Sequence, residues 1–196
     1  MEDFVQFLLK KVYNSKSIRN EYILEAFELT VKDVNHHFPN LSKEEIKNSI
    51  TNNSNELALF LFRLGSILHQ NNEENLKPQI HWLLKELCSC EIYFNNQIGE
   101  GFYIVHGEGT VIGSRNTIGK GFKIHHGCTL GHKRNGGGNG NVIGDNVTMY
   151  CNSSIIGELI IGDNAVIGAH VMITQNIANN SLITQTGELL ARQIQL

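Results

Sequence analysis

The 196-residue chain has no basic excess. Lys plus Arg number 16 against 19 Asp plus Glu, a formal net charge of −3. That removes the electrostatic reason to expect nucleic acid or an anionic membrane surface as partner. Long apolar runs are missing too: none approaches the roughly 20 residues that span a bilayer. The opening Met1-Glu2-Asp3 lacks the basic stretch of a signal peptide, so a soluble cytoplasmic protein is expected. Cysteines number four. Cys88 and Cys90 are too close to pair easily in a helix, and no second CxxC completes a zinc site. With Cys128 and Cys151 they read as reduced intracellular thiols. Glycine is scarce in one half only. Of 19 glycines, Gly65 alone precedes Gly99. At 41% hydrophobic residues the chain can bury a core. Two architectures are expected, joined near Asn95.

In the glycine-poor half the apolar residues recur at three and four. Phe4, Leu8, Leu9 and Val12 form one stripe, and Ile23, Phe27, Val31 and Val34 a second. Leu57, Phe60, Leu61, Leu64 and Leu68 form a third, and Trp82, Leu83 and Leu87 a fourth. Such a period turns one face of each helix toward a core. Ser42 with Glu45 three residues on reads as a capping box, and Ser54 marks another helix start. Pro39 and Asn71-Asn72 mark breaks, and Pro78 fits a first helical turn. No cofactor box is visible here. His36, His37, His69 and His81 are expected on helix surfaces.

In the second half the period changes to six. Aliphatic residues stand at Ile98, Ile104, Ile112, Ile118, Ile124 and Leu130, then at Ile143, Met149, Ile155, Ile161, Ile167 and Ile173. Two residues are added after His106 and seven between Leu130 and Ile143. The fifth place is often small, as at Cys128, Ser153 and Ala165. This matches neither helix nor hairpin, but the hexapeptide repeat of a parallel β-helix. Three units make one triangular coil, and twelve give about four coils that stack as in other solenoids. The register predicts a column of His106, His126 and Cys151 at one corner, the insertion leaving the His106 coil open by up to two residues. His132 falls at the next corner.

Residues 91–113, EIYFNNQIGEGFYIVHGEGTVIG, and 124–138, IHHGCTLGHKRNGGG, resemble the serine O-acetyltransferase family of hexapeptide-repeat acyltransferases. The resemblance implies an α+β chain: a helical bundle over 1–90, then a left-handed parallel β-helix over 91–177 with a loop at 132–142, and a tail at 178–196. It implies acetyl-CoA as co-substrate, a small hydroxyl compound as acceptor, and no metal. The family's general base matches His106, and the acidic residue that orients it matches Glu91. The chemistry is reasonable, because an alcohol needs a base within hydrogen-bond reach to attack a thioester, and imidazole can accept a proton near neutral pH. A carboxylate on its other nitrogen would hold the tautomer. Acetyl-CoA is expected against Gly131, Gly136 and Ala169, with Lys133 and Arg134 as candidates for its phosphates. Acceptor contacts are expected from positions matching Val105, His126 and Asn141. The family assembles as a trimer or a dimer of trimers, and a homotrimer is expected here.

Three departures bear on the acceptor. The acidic residue that precedes the family's base is Val105, and the Arg-His pair that ends its long loop is replaced by Asn139-Gly140-Asn141. The family's C-terminal Gly-Val-Pro-Ala-Arg is echoed only faintly by Gly187 to Arg192. A zwitterion binds poorly without charged partners, so a neutral acceptor such as a sugar becomes an alternative to L-serine. Two readings come from other classes. Gamma-class carbonic anhydrases share the β-helix, and His106, His126 and His132 resemble their zinc set, although His132 falls at another corner. A non-catalytic β-helix scaffold is the third reading. The ending Gln193-Ile194-Gln195-Leu196 differs from the family's terminal Ile that docks into a sulfhydrylase.

Overall fold

The computed structural model describes residues 1–134 and 137–185. Five helices come first: α1 (Glu2–Leu9), α2 (Asn20–His37), α3 (Lys43–Asn52), α4 (Ser54–Gln70) and α5 (Lys77–Cys88). The capping box forms as expected: Ser42 N donates to Glu45 Oε2 at 2.9 Å and Glu45 N to Ser42 Oγ at 3.3 Å. Helix α4 starts at Ser54, but its cap is Asn53, whose Oδ1 accepts from Asn55 N. Every residue from Leu57 to Leu68 is buried, so α4 is the axle of the bundle, with α2, α3 and α5 around it. A helix buried all round needs no polar face. Gly65 is its close-approach point, since a Cβ there would run into the ring of Phe94. Trp82 departs from its predicted stripe. It is 43% exposed, and α5 buries Gln79, Ile80, Leu83, Leu84 and Cys88 instead.

Fourteen short strands follow: β1 (Glu91–Ile92), β2 (Gln97–Ile98), β3 (Tyr103–Ile104), β4 (Val111–Ile112), β5 (Thr117–Ile118), β6 (Lys123–Ile124), β7 (Thr129–Gly131), β8 (Val142–Ile143), β9 (Thr148–Met149), β10 (Ser154–Ile156), β11 (Ile160–Ile161), β12 (Val166–Ile167), β13 (Met172–Ile173) and β14 (Leu182–Ile183). They form three parallel sheets, β1-β4-β7-β10-β13, β2-β5-β8-β11 and β3-β6-β9-β12-β14. Every third strand pairs, so the chain winds a triangular prism, and the fold is a left-handed parallel β-helix. All twelve predicted aliphatics are buried inside it. Ile92 adds an inward residue at the front, and Ile177 and Ile183 continue the winding through a bridge to Ile161 and a pairing with Ile167. The stack thus reaches a fifth coil, and β14 lies within the stretch expected as tail. The remainder of that tail, including Gly187 to Arg192, lies outside the described residues.

Polar ladders hold the corners. Asn116 N and Nδ2 donate to Asn96 Oδ1, Asn141 N and Nδ2 donate to Asn116 Oδ1, and Leu159 N donates to Asn141 Oδ1. These asparagines are buried, so each bond replaces water that the corner excludes. Asn146, Asn164 and Asn180 form an exposed ladder at another corner, all three with positive φ, which asparagine tolerates better than most residues.

The two halves meet through one buried cluster. Arg63 of α4 donates from Nε and Nη2 to Asp33 of α2, both at 2.7 Å, and from Nη1 and Nη2 to the carbonyls of Ile98 and Gly99. Asp33 Oδ1 also accepts from Gly101 N and Phe102 N. Burial pushes the Asp33 carboxyl above its ordinary range, and Arg63 opposes that. Around this cluster the ring of Phe62 meets Phe102, which stacks on Phe122. His37, read from the sequence as a surface residue, is half-buried in the joint with Nε2 at 2.8 Å from Gly101 O.

Candidate active site

His106 sits on an irregular strap. Ile104 pairs with Ile124 and Val111 with Thr129, so six residues, 105–110, cover the corner that 125–128 cover in four one coil later. The slack pushes His106 outward, where it is exposed. Its ring lies 6.0 Å from that of His126 and 6.3 Å from that of His125, which stacks on Tyr150. Burial holds the His125 imidazole below its ordinary pKa, and the neighbouring His106 and His126 act the same way.

The insertion shifts the predicted column. Gly127 N donates to Glu108 O, Asn152 N to His126 O and His170 N to Cys151 O. The corner column is therefore Glu108, His126, Cys151 and Ala169, with His106 beside it rather than in it. Cys90 lies close to this strap, and burial followed by the charge of Glu108 pushes its thiol up to about 12. It is a packing residue in its protonated form.

Helix α4 reaches the strap directly. Gly107 N donates to Asn55 Oδ1 at 2.9 Å, and Asn55 Nδ2 donates to Val105 O at 3.2 Å. One side chain thus holds the peptide groups on both sides of His106. No sequence signal marks Asn55, because its partners lie about fifty residues away.

Glu91, the candidate orienting acid, lies at the start of the β-helix. Strand β1 opens beneath the end of α5, and there Glu91 meets His81 Nε2 at 3.2 Å and Lys85 Nζ at 3.1 Å. Among the described residues no hydrogen bond joins it to His106. Asn141 differs from its expected role at the acceptor: it is fully buried in the corner ladder, its Oδ1 occupied by Leu159 N. Val105 is half-buried, with its carbonyl held by Asn55.

The loop that begins at His132 lies at the next corner, between β7 and β8. Arg115 fastens it from the coil below, its Nε donating to Gly138 O and its Nη2 to Gly137 O. Gly140, at φ +82°, passes so close to the Arg115 carbonyl that a side chain would not fit. His132 is held with Nε2 at 2.8 Å from Ser114 O, at the corner next to that of His126. Lys133 and Arg134 are exposed at the mouth of a cleft of about 510 Å³ that Gly138 and Glu158 also line. Gly131 and Arg134 border a second groove of about 470 Å³ running over the outside of β1, β4 and β7 toward Glu91. Gly136 lies outside the described residues. His106 and the cationic loop thus stand at two different corners of one prism.

Comparison with known proteins gives a consistent answer. The family described as Bacterial transferase hexapeptide (six repeats) matches residues 142–175. A serine acetyltransferase of Helicobacter pylori (strain ATCC 700392 / 26695) is 30% identical over 125 residues, 63% of this chain and 73% of that protein. A serine acetyltransferase of Staphylococcus epidermidis is 31% identical over 127 residues, 64% of this chain and 60% of its own length. Among solved structures, serine acetyltransferase of Neisseria gonorrhoeae in complex with serine superposes with TM-score 0.71 at 23% identity, covering 94% of this chain and 72% of that one. Isoform 3 from Entamoeba histolytica, in complex with cysteine, gives 0.71 at 24%, covering 89% of this chain and 61% of that one.

Proposed function

The chain belongs to the serine acetyltransferase family, a family of acyltransferases, and we propose that it moves acetyl from acetyl-CoA to the hydroxyl of a small acceptor with His106 as general base. The observation that carries the reading is the strap: an exposed imidazole, fixed on both sides through its backbone, at the position that matches the family's base. Acetyl-CoA would supply the acetyl thioester. His106 takes the proton from the acceptor hydroxyl as its oxygen bonds to the thioester carbon. The C–S bond then breaks, and the thiolate leaves and collects a proton. Lys133 and Arg134 are the cations available for the phosphates, and Gly131 and Ala169 offer backbone without bulk. Because these cations stand at another corner from His106, the site is completed most simply where two prisms of a homotrimer lie side by side. Glu91, which matches the family's orienting acid, accepts from Lys85 Nζ in this structure.

The relatives' names point to L-serine as acceptor. A neutral acceptor is the second reading, favoured by Val105 in place of an acid and by the burial of Asn141. Release of CoA, followed with a thiol reagent against L-serine and a panel of sugars, decides between them. His106→Ala is expected to lower turnover by about 10²–10⁴-fold. Full turnover by that variant would remove the general-base role, and no turnover with any acceptor would favour a scaffold.

A further inference from the structure

A two-residue insertion in a β-helix has a cost. The inserted peptides have no partner in the neighbouring coil, and unpaired backbone groups are unfavourable away from water. Around His106 the coil supplies part of what is needed: Val105 N donates to Ile124 O, and Thr110 N closes back on Gly107 O. The carbonyl of Val105 and the N–H of Gly107 face away from those partners. Both are met by the Asn55 amide, which donates to the first and accepts from the second.

We propose that Asn55 is the positioning residue for His106, acting from the helical half on the base without touching the substrate. This rests on the reading of His106 as base. The amide suits the task because it alone among side chains of this length both donates to a carbonyl and accepts from an N–H. An Asp could keep the bond from Gly107 but would set a carboxylate oxygen against the Val105 carbonyl. Asn55 is itself fixed. Its N–H is bonded to Asn53 Oδ1 in the first turn of α4, and two turns further Arg63 anchors the same helix to Ile98 and Gly99. The base is therefore placed by the docking of α4 and not by the β-helix alone.

The test uses the full chain with Asn55→Ala and Asn55→Asp, measured in two ways. The first is hydrogen exchange of peptides covering 103–110, with 111–113 and 129–131 as internal references. The second is steady-state CoA release with acetyl-CoA and L-serine, with His106→Ala beside it. In Asn55→Ala the Gly107 amide is expected to exchange at least about tenfold faster while the reference coils stay protected. Its kcat is expected to fall about 10- to 100-fold with the KM for acetyl-CoA within about twofold, since misplacement of a reacting group costs that much. Asn55→Asp is expected to keep Gly107 protected and to recover part of kcat. Unchanged exchange at Gly107, or a kcat within twofold of the parent, overturns the proposal. So does loss of protection throughout the reference coils with an equal fall in both variants, which marks a structural role. The exchange arm needs no turnover. A loosened strap together with full activity in His106→Ala would instead show that the base had been misassigned.

Discussion

The helical half and the β-helix solve the same problem with opposite use of sequence. In the helical half each contact is particular. Phe60, Phe62, Ile23, Ile46 and Ile80 meet once, in a core that no repeat describes. In the β-helix the same contact recurs, aliphatic over aliphatic and asparagine over asparagine, coil after coil. A repeating half can be extended or cut by whole units. A particular half cannot, and it is the particular half that reaches the strap through Asn55 and holds the first coil through Arg63.

The largest test of that contrast is at the joint. Arg63→Ala leaves Asp33 buried without its cation and strips two carbonyls of their donors. A loss of about 3–5 kcal/mol is expected in chemical denaturation, with the two halves ceasing to unfold together. Asn116→Ala breaks the buried ladder at its middle rung, leaving Asn96, Asn141 and the Gly113 carbonyl short of partners. About 2–3 kcal/mol is expected from the same measurement, with the two halves still unfolding together.

Acid is a gentler probe. Burial holds His37 and His125 below the ordinary histidine pKa. Protonation is therefore easier in the unfolded chain, and stability is full above about pH 6.5 and lost as pH falls toward the folded values. A Tm lower at pH 5.5 than at 7.5 is expected, with a smaller difference in His37→Gln, which removes the joint's share. Smallest of all is Ser42→Ala, which opens an exposed capping box. A Tm drop of about 2–4 °C is expected.

That contrast also explains what could be read in advance. The six-residue period is plain at Ile112, Ile118 and Ile124 because an inward position tolerates nothing polar. The helical stripes are plain for the same reason, and Trp82 misleads because an aromatic on a helix edge keeps the period without being buried. The corner ladder is hidden, since loops of different length space Asn96, Asn116 and Asn141 unevenly. Family pattern alone puts Asn141 at the acceptor. Family pattern pairs Glu91 with His106, and period alone cannot place the helix whose Lys85 reaches Glu91. The register draws the column through His106 because an insertion shows its length in sequence but not the residue that bulges.

The Arg63 cluster has a further consequence in the order of synthesis. Asp33 and Arg63 leave the ribosome well before residue 98, and domains made first fold first. Their ion pair can close while the β-helix does not yet exist. It then presents spare guanidinium donors and remaining acceptor capacity on Asp33 Oδ1, at the spacing that Ile98, Gly99, Gly101 and Phe102 later fill. The first coil can thus be received on a finished template, and each later coil can be laid on the one before it.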